Sequence, residues 1–172
     1  MASMAASIGM TNTLEQKISF VLRGYAPAVQ CFLLIRDILH FWDDLIDRDK
    51  KVDQESIHNA MFKALVTLPR NEFYRKNIDT LLPVLVNAIA NWRAANEFEC
   101  TDDRKTLEIA FVIRSDYANI LIQMAYIIGG HDCLMQVTPM IRSLWTEEDF
   151  EAYLKNLEQE RHARMLGVPN VL

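Results

Sequence analysis

Asp43, Asp44 and Asp47 lie in the run Trp42-Asp43-Asp44-Leu45-Ile46-Asp47, at the end of an apolar helical stretch. Spacings of three and four residues set carboxylates along one edge of a helix, within reach of a single ion. Placed there they repel one another, and a helix C-terminus already carries partial negative charge. A cation relieves both costs. Hard divalent ions such as Mg²⁺ or Mn²⁺ accept this all-oxygen environment and complete their shell with water or phosphate oxygens. Asp37 and His40 extend the same stripe towards the N-terminus. A plainer reading is a solvated helix end neutralised by Arg48, Lys50 and Lys51, and the residues alone leave both open.

A second cluster follows from topology. If the second, third and fourth predicted helices alternate in direction, the second and fourth are parallel and their C-terminal ends meet at one pole. The fourth ends Asn91-Trp-Arg-Ala-Ala-Asn-Glu-Phe-Glu99, and the fifth opens Asp102-Asp103-Arg104. That pole would gather Asp43, Asp44, Asp47, Glu97, Glu99, Asp102 and Asp103, with Arg93, Arg104 and Lys50 placed to answer a bound phosphate. Asp102 and Asp103 also suit a helix N-terminus, where carboxylates are favourable.

Further along, Asp116, Asn119 and Gln123 share one face of an otherwise apolar helix. Buried polar groups need partners. They read as an internal hydrogen-bond network with Arg114 or Tyr126, or, with His40, as the polar wall of a cavity. Gly129-Gly130-His131-Asp132 reads as a turn. Trp92 and Trp145 read as core anchors, Met135, Met140 and Met165 as packing, and His58 and His162 as surface.

The elements that must position these groups are helical throughout, since no alternating strand pattern persists. The spacing predicts helices over about 14–23, 27–47, 54–68, 80–99, 103–128, 132–144 and 147–165. Gly24 and Pro27 break the first from the second, and Asp53 caps the third, which Pro69 stops. Asn71 opens a short turn of helix, and Asp79 or Thr80 caps the fourth. Gly129-Gly130 ends the fifth, Pro139 kinks the sixth, and Thr146 with Asp149 resembles a capping box. The expected fold is a single all-α bundle of about six to seven helices over 14–172, after an N-terminal segment, 1–13, that is frayed unless another subunit holds it.

Composition narrows the partners. The chain has 172 residues, 51% apolar and 24% charged, which suits one domain with a sizeable core. A net charge of −5 argues against nucleic acid, whose binders present a basic face. No apolar run reaches a bilayer span by inspection, so no membrane partner is expected. The N-terminal Met1–Met10 lacks the basic region of a signal peptide. Cys31, Cys100 and Cys133 are too scattered for a disulfide framework and suit reduced thiols in the cytoplasm.

Asp43-Asp44-Leu45-Ile46-Asp47 at a helix end resembles the aspartate-rich motif of class I isoprenoid (terpenoid) synthases. The resemblance implies that these carboxylates hold Mg²⁺, which grips a substrate diphosphate. A second metal motif of that family has Asn, then Ser or Thr four on, then Glu eight on; Asn91 and Glu99 match it, and Ala95 stands at the hydroxyl position. By that likeness Asn91 and Glu99 form a second metal site, and the bundle is a reduced form of the synthase fold. Over a longer stretch, His40-Phe-Trp-Asp-Asp-Leu-Ile-Asp, Phe73-Tyr-Arg-Lys-Asn, Asn91-Trp-Arg-Ala-Ala-Asn and Gly129-Gly-His-Asp look like small uncharacterised tailed-phage and prophage proteins, which implies a viral origin in the host cytoplasm or the virion. Two functions are therefore expected. One is a Mg²⁺-dependent enzyme or binder for a diphosphate-bearing small molecule. The other is a non-catalytic accessory or virion-associated protein that works through contacts with a phage or host protein or a second copy of itself.

Overall fold

The computed structural model describes residues 13–47, 52–144 and 149–166. The chain is an all-α bundle. Its elements are α1 (Leu14–Val21), α2 (Ala26–Asp47), α3 (Gln54–Phe62), α4 (Leu68–Arg70), α5 (Glu72–Phe98), α6 (Arg104–Ile113), α7 (Ala118–Leu144) and α8 (Phe150–Leu166), with a π-helical stretch, Lys63–Thr67, joining α3 to α4. The expected segment 1–13 lies outside the described residues except for Thr13, which caps α1: its side chain accepts from the Gln16 backbone N–H while the Gln16 side chain accepts from Thr13. This is a capping box.

Local chemistry sets the boundaries. At the end of α1 the Gly24 N–H bonds the Ser19 carbonyl at 2.8 Å and the Arg23 N–H bonds the Phe20 carbonyl at 3.1 Å. That pattern reverses the chain, with Arg23 at φ 53° where a glycine is usual. Asp53 caps α3 as expected, accepting from the Ser56 N–H at 2.7 Å. Pro69 does not stop the helix. Widening to π geometry just before it, with the Leu68 N–H reaching Lys63 O, accommodates the ring and the missing donor.

Two further boundaries differ from expectation. Asn71 opens a helical turn as expected, accepting from the Tyr74 N–H at 3.0 Å, but the chain continues across a kink into the long helix of α5 with no fresh cap at Asp79 or Thr80. The chain bends at Asn77 (φ −123°, ψ 16°) ahead of Pro83, and the Asn77 amide covers the freed Phe73 carbonyl at 2.8 Å. The predicted helix over about 103–128 is instead divided by a turn at 114–117. After that turn α7 runs on to Leu144 with one break, at Gly130 (φ 68°), a left-handed conformation that glycine adopts without strain. Pro139 lies inside α7, where the non-helical residue is Gly130. Asp149 caps α8 at the Ala152 N–H, 2.8 Å away; Thr146 and Trp145 lie outside the described residues.

The core joins α1, α2, α5 and α7. Ile18, Val21, Leu22, Cys31, Phe32, Ile120, Leu121, Met124, Ala125 and Ile141 are fully buried. Each large apolar side chain withdrawn from water in this way contributes about 1.5–3 kcal/mol before chain entropy is counted. Burial pushes the Cys31 thiol up to about 12, which makes it an inert core residue. By length and composition alone the stretch Arg104–Leu144 is apolar enough to cross a membrane. A core helix passes the same test, and residues 120–125 supply much of this core. Met135, read as packing, is 55% exposed.

A second, smaller core holds α8 against α6. It consists of Leu107, Tyr153 and Leu157, with Phe111, Phe150 and Leu154 around them. Ring centroids of Phe111 lie 5.1 Å from Tyr153 and 5.5 Å from Phe150.

Candidate functional site

Helices α2 and α5 are parallel neighbours. The Asn71 side chain donates to the Pro27 carbonyl at 2.9 Å near their N-terminal ends, and Trp92 Nε1 donates to Asp43 Oδ1 at 2.8 Å towards their C-terminal ends. Between them, closed by the end of α6 and the 114–117 turn, is a cavity of about 230 Å³. Leu39, Trp42, Ala88, Ile89, Trp92, Phe111 and Tyr117 form its apolar wall, and His40, Asp43, Arg114 and Ser115 supply its polar groups.

The aromatic groups are fixed by one another. Trp42 and Trp92 have centroids 5.5 Å apart, and the Asp43 bond pins the Trp92 indole. His40 meets the edge of Tyr117 at 5.9 Å. Trp42 stays 38% exposed at the rim. Trp92, expected as a core anchor, is therefore a wall of the cavity.

Arg114 joins the cavity to α8. Its guanidinium lies 3.5 Å from Glu99 Oε1 and 5.2 Å over the Tyr153 ring, and the Tyr153 hydroxyl donates to that same Glu99 oxygen at 2.7 Å. Burial opposes the Arg114 charge, but Glu99, Tyr153 and Asp43 outweigh it and hold the guanidinium pKa above its ordinary value. Burial, then the hydrogen bond to Glu99 and its charge, push the Tyr153 phenol up, so it stays a proton donor. Arg161 completes the strap, donating to the Glu99 and Thr101 carbonyls and pairing with Asp102 at 2.9 Å.

The acidic pole expected from the sequence thus divides into separate arrangements. Asp43 enters the cavity. Asp44 is half-buried on α2 and is not among the lining residues. Asp47 closes α2, and its side chain, like the whole of Lys50, lies outside the described residues. Asp37 pairs with Lys63 at 2.7 Å. Glu99 serves Tyr153 and Arg114. Asn91 donates to Asp116, which also faces Arg142 at 3.9 Å, while Arg142 donates to Asn119. Asp116 and Asn119 therefore belong to an internal network, with Arg142 and Asn91 in place of Arg114 or Tyr126. Asp116, Asn119 and half-buried Gln123 do not line this cavity; His40 does. Arg104 holds the start of α8 through Glu151 at 2.6 Å and pairs along α6 with Glu108 at 3.4 Å, and Arg93 is exposed.

A second metal site at Asn91 and Glu99 does not fit this geometry. The Asn91 amide is turned to Asp116, and the Glu99 carboxylate is occupied by a phenol and a guanidinium. Among the described residues no group of three or more His, Cys, Asp or Glu side chains is arranged to hold a metal ion.

Arg114, Ser115 and Tyr117 were not singled out by sequence reasoning as wall residues, because they fall in a turn that the apolar periodicity runs straight through. The pair Ser115-Asp116, both turn formers, was the available signal.

At the rim, burial and then the charge of Arg36 hold the His40 pKa below its ordinary value, against the pull of Asp43, Asp44 and Asp37. With the native pKa depressed, the unfolded chain binds the proton more readily. The contribution of His40 to stability is therefore complete above the unfolded histidine pKa and is lost as pH falls through it towards the native value. Urea unfolding followed from about pH 7.5 down to pH 5.5 should show a shallow fall in stability. His40→Gln should flatten it. An unchanged slope in that variant would assign the fall to other groups.

Fold and cavity together define an all-α bundle with an aromatic-walled cavity between two parallel helices. No protein-family model, curated protein or solved structure matches the chain.

Proposed function

We propose that this protein binds a small organic molecule in the cavity between α2, α5 and α6. The observation that carries the reading is the wall itself. Trp42, Trp92, Phe111 and Tyr117 offer ring faces and edges, and Asp43, His40, Arg114 and Ser115 converge among them. A concave, mostly apolar space with a few placed polar groups is the usual form of a small-molecule site. The apolar body of a ligand would lie against the rings, and its polar end would face Asp43 and Arg114. The reading is one of binding.

A ligand-observed NMR screen of water-soluble aromatic compounds tests it. Binders are expected for the native chain and should be lost in Ser115→Phe, which places a ring in the cavity from a turn position whose hydroxyl reaches only the Val112 carbonyl, at 3.4 Å. Compounds that bind both forms equally would lie elsewhere, and the proposal would fall.

The Mg²⁺–diphosphate reading survives only at Asp43, Asp44 and Asp47. Its support is that Asp43, the first carboxylate of that motif, opens onto an apolar cavity. Calorimetric titration of Mg²⁺ or Mn²⁺ with and without pyrophosphate, on the native chain and on Asp43→Asn, separates it from metal-free binding. A reading through protein contacts is favoured by a different observation. Ile57, Met61 and Leu65 recur every fourth residue along α3 and its π continuation and are 40%, 45% and 73% exposed, with Phe62 beside them at 61%. Apolar stripes left open in this way commonly meet a partner.

A further inference from the structure

We infer that the cavity selects an organic cation, an ammonium or guanidinium group carried on an apolar body, over neutral or anionic molecules of the same shape. The inference rests on the cavity being a ligand site and adds the charge of what enters it.

The charged groups at the wall are Asp43, Arg114 and the Glu99 behind it. Arg114 is answered first by Glu99 at 3.5 Å and by the face of Tyr153 at 5.2 Å, and more weakly by the charge of Asp43. Asp43 receives one neutral N–H, from Trp92, on Oδ1. Two carboxylates against one guanidinium leave the wall with a surplus of negative charge on Asp43.

Ring faces decide which kind of cation suits. Trp42, Trp92, Phe111 and Tyr117 line the same space, and aromatic rings carry electron-rich faces. Such faces attract an organic cation, whose single charge costs far less to desolvate than that of a divalent metal ion. Mg²⁺ gives up water reluctantly and asks for oxygen ligands in octahedral array. An anionic head would meet Asp43 with no counter-charge beyond an Arg114 already paired. Within one space, then, the carboxylate sets the sign of the ligand and the rings set its softness.

The test uses three probes of one shape: phenethylammonium, 2-phenylethanol and 3-phenylpropionate, titrated into the intact chain by calorimetry and by tryptophan fluorescence. The cation should bind at least about fivefold tighter than the alcohol, and the carboxylate weakest. Asp43→Asn keeps an oxygen to accept the Trp92 N–H and removes the charge; it should bring cation and alcohol to within about twofold of each other. A native chain that binds alcohol and cation equally, or an Asp43→Asn chain that keeps the preference, overturns the charge selection and leaves the cavity reading standing. Failure of all three probes to bind the native chain, with its circular dichroism and melting intact, overturns both.

Discussion

Tyr153→Ala is expected to lower the free energy of unfolding by about 3–5 kcal/mol, the range for emptying a buried aromatic site. Tyr153 is 1% exposed and is the centre of the small core that fixes α8 to α6. Its ring packs on Phe111 and Phe150, its face carries the Arg114 guanidinium, and its hydroxyl serves Glu99. Removing the side chain strips all three at once. Tyr153→Phe isolates the hydroxyl: the ring contacts remain and Glu99 loses one donor, a change expected to cost about 1–2 kcal/mol. Urea unfolding of the two variants, followed by far-ultraviolet circular dichroism, measures both. Equal costs would mean that the hydroxyl, and not the packing of α8, holds this end of the bundle. Because Phe111 and Arg114 also line the cavity, ligand affinity should fall in the Ala variant more than in the Phe variant.

The helices were legible in the sequence for a clear reason. Their apolar residues recur at helical spacing, and the cap at Asp53 is written in a side chain suited to it, whereas Asp149, expected as the partner of a cap at Thr146, itself caps α8. The parallel pairing of α2 and α5 was also within reach, because short connections leave few ways to stack consecutive helices. The tertiary exceptions were not legible. Pro69 looks like a stop, and only the π widening at Lys63–Thr67 shows how the chain passes it. The turn at 114–117 is hidden because Ile113 and Tyr117 keep the apolar rhythm across it.

The site was legible in half. Asp43 and His40 stood out because charged and titratable groups interrupt an apolar stretch. What Glu99 does could not be read from α5 alone. Its partners, Tyr153 and Arg114, are distant in sequence and reach it only when α8 folds back across α6. A carboxylate at an unfavourable helix end calls for a cation, and the one Glu99 meets is a guanidinium of its own chain. Nor does spacing show that Trp92 turns its N–H to Asp43, the contact that makes two aromatic residues into a cavity wall.

Arg114 is where stability and binding part, and Arg114→Met should move them in opposite directions. Methionine keeps the length and apolar contacts of the side chain and deletes the charge. Glu99, 15% exposed, is then left with the Tyr153 hydroxyl as its side-chain partner. Orphaning one member of a fully buried pair costs several kcal/mol, but Arg114 is 38% exposed and water screens the loss, so about 1–3 kcal/mol is expected. Adding Glu99→Gln removes the orphaned charge and lets an amide oxygen accept from Tyr153. The double variant should therefore be more stable than Arg114→Met alone, a coupling that a double-mutant cycle in urea reads directly. Binding should respond differently. Without the guanidinium the wall is more negative, and phenethylammonium should bind about two- to fivefold tighter to Arg114→Met than to the native chain. The added Glu99→Gln should return the affinity towards the native value. If Arg114→Met loses the cation as well as stability, the guanidinium shapes the cavity and its charge is not what the ligand reads; a gain in affinity alongside a loss in stability can come only from the balance of charge at Asp43, Glu99 and Arg114.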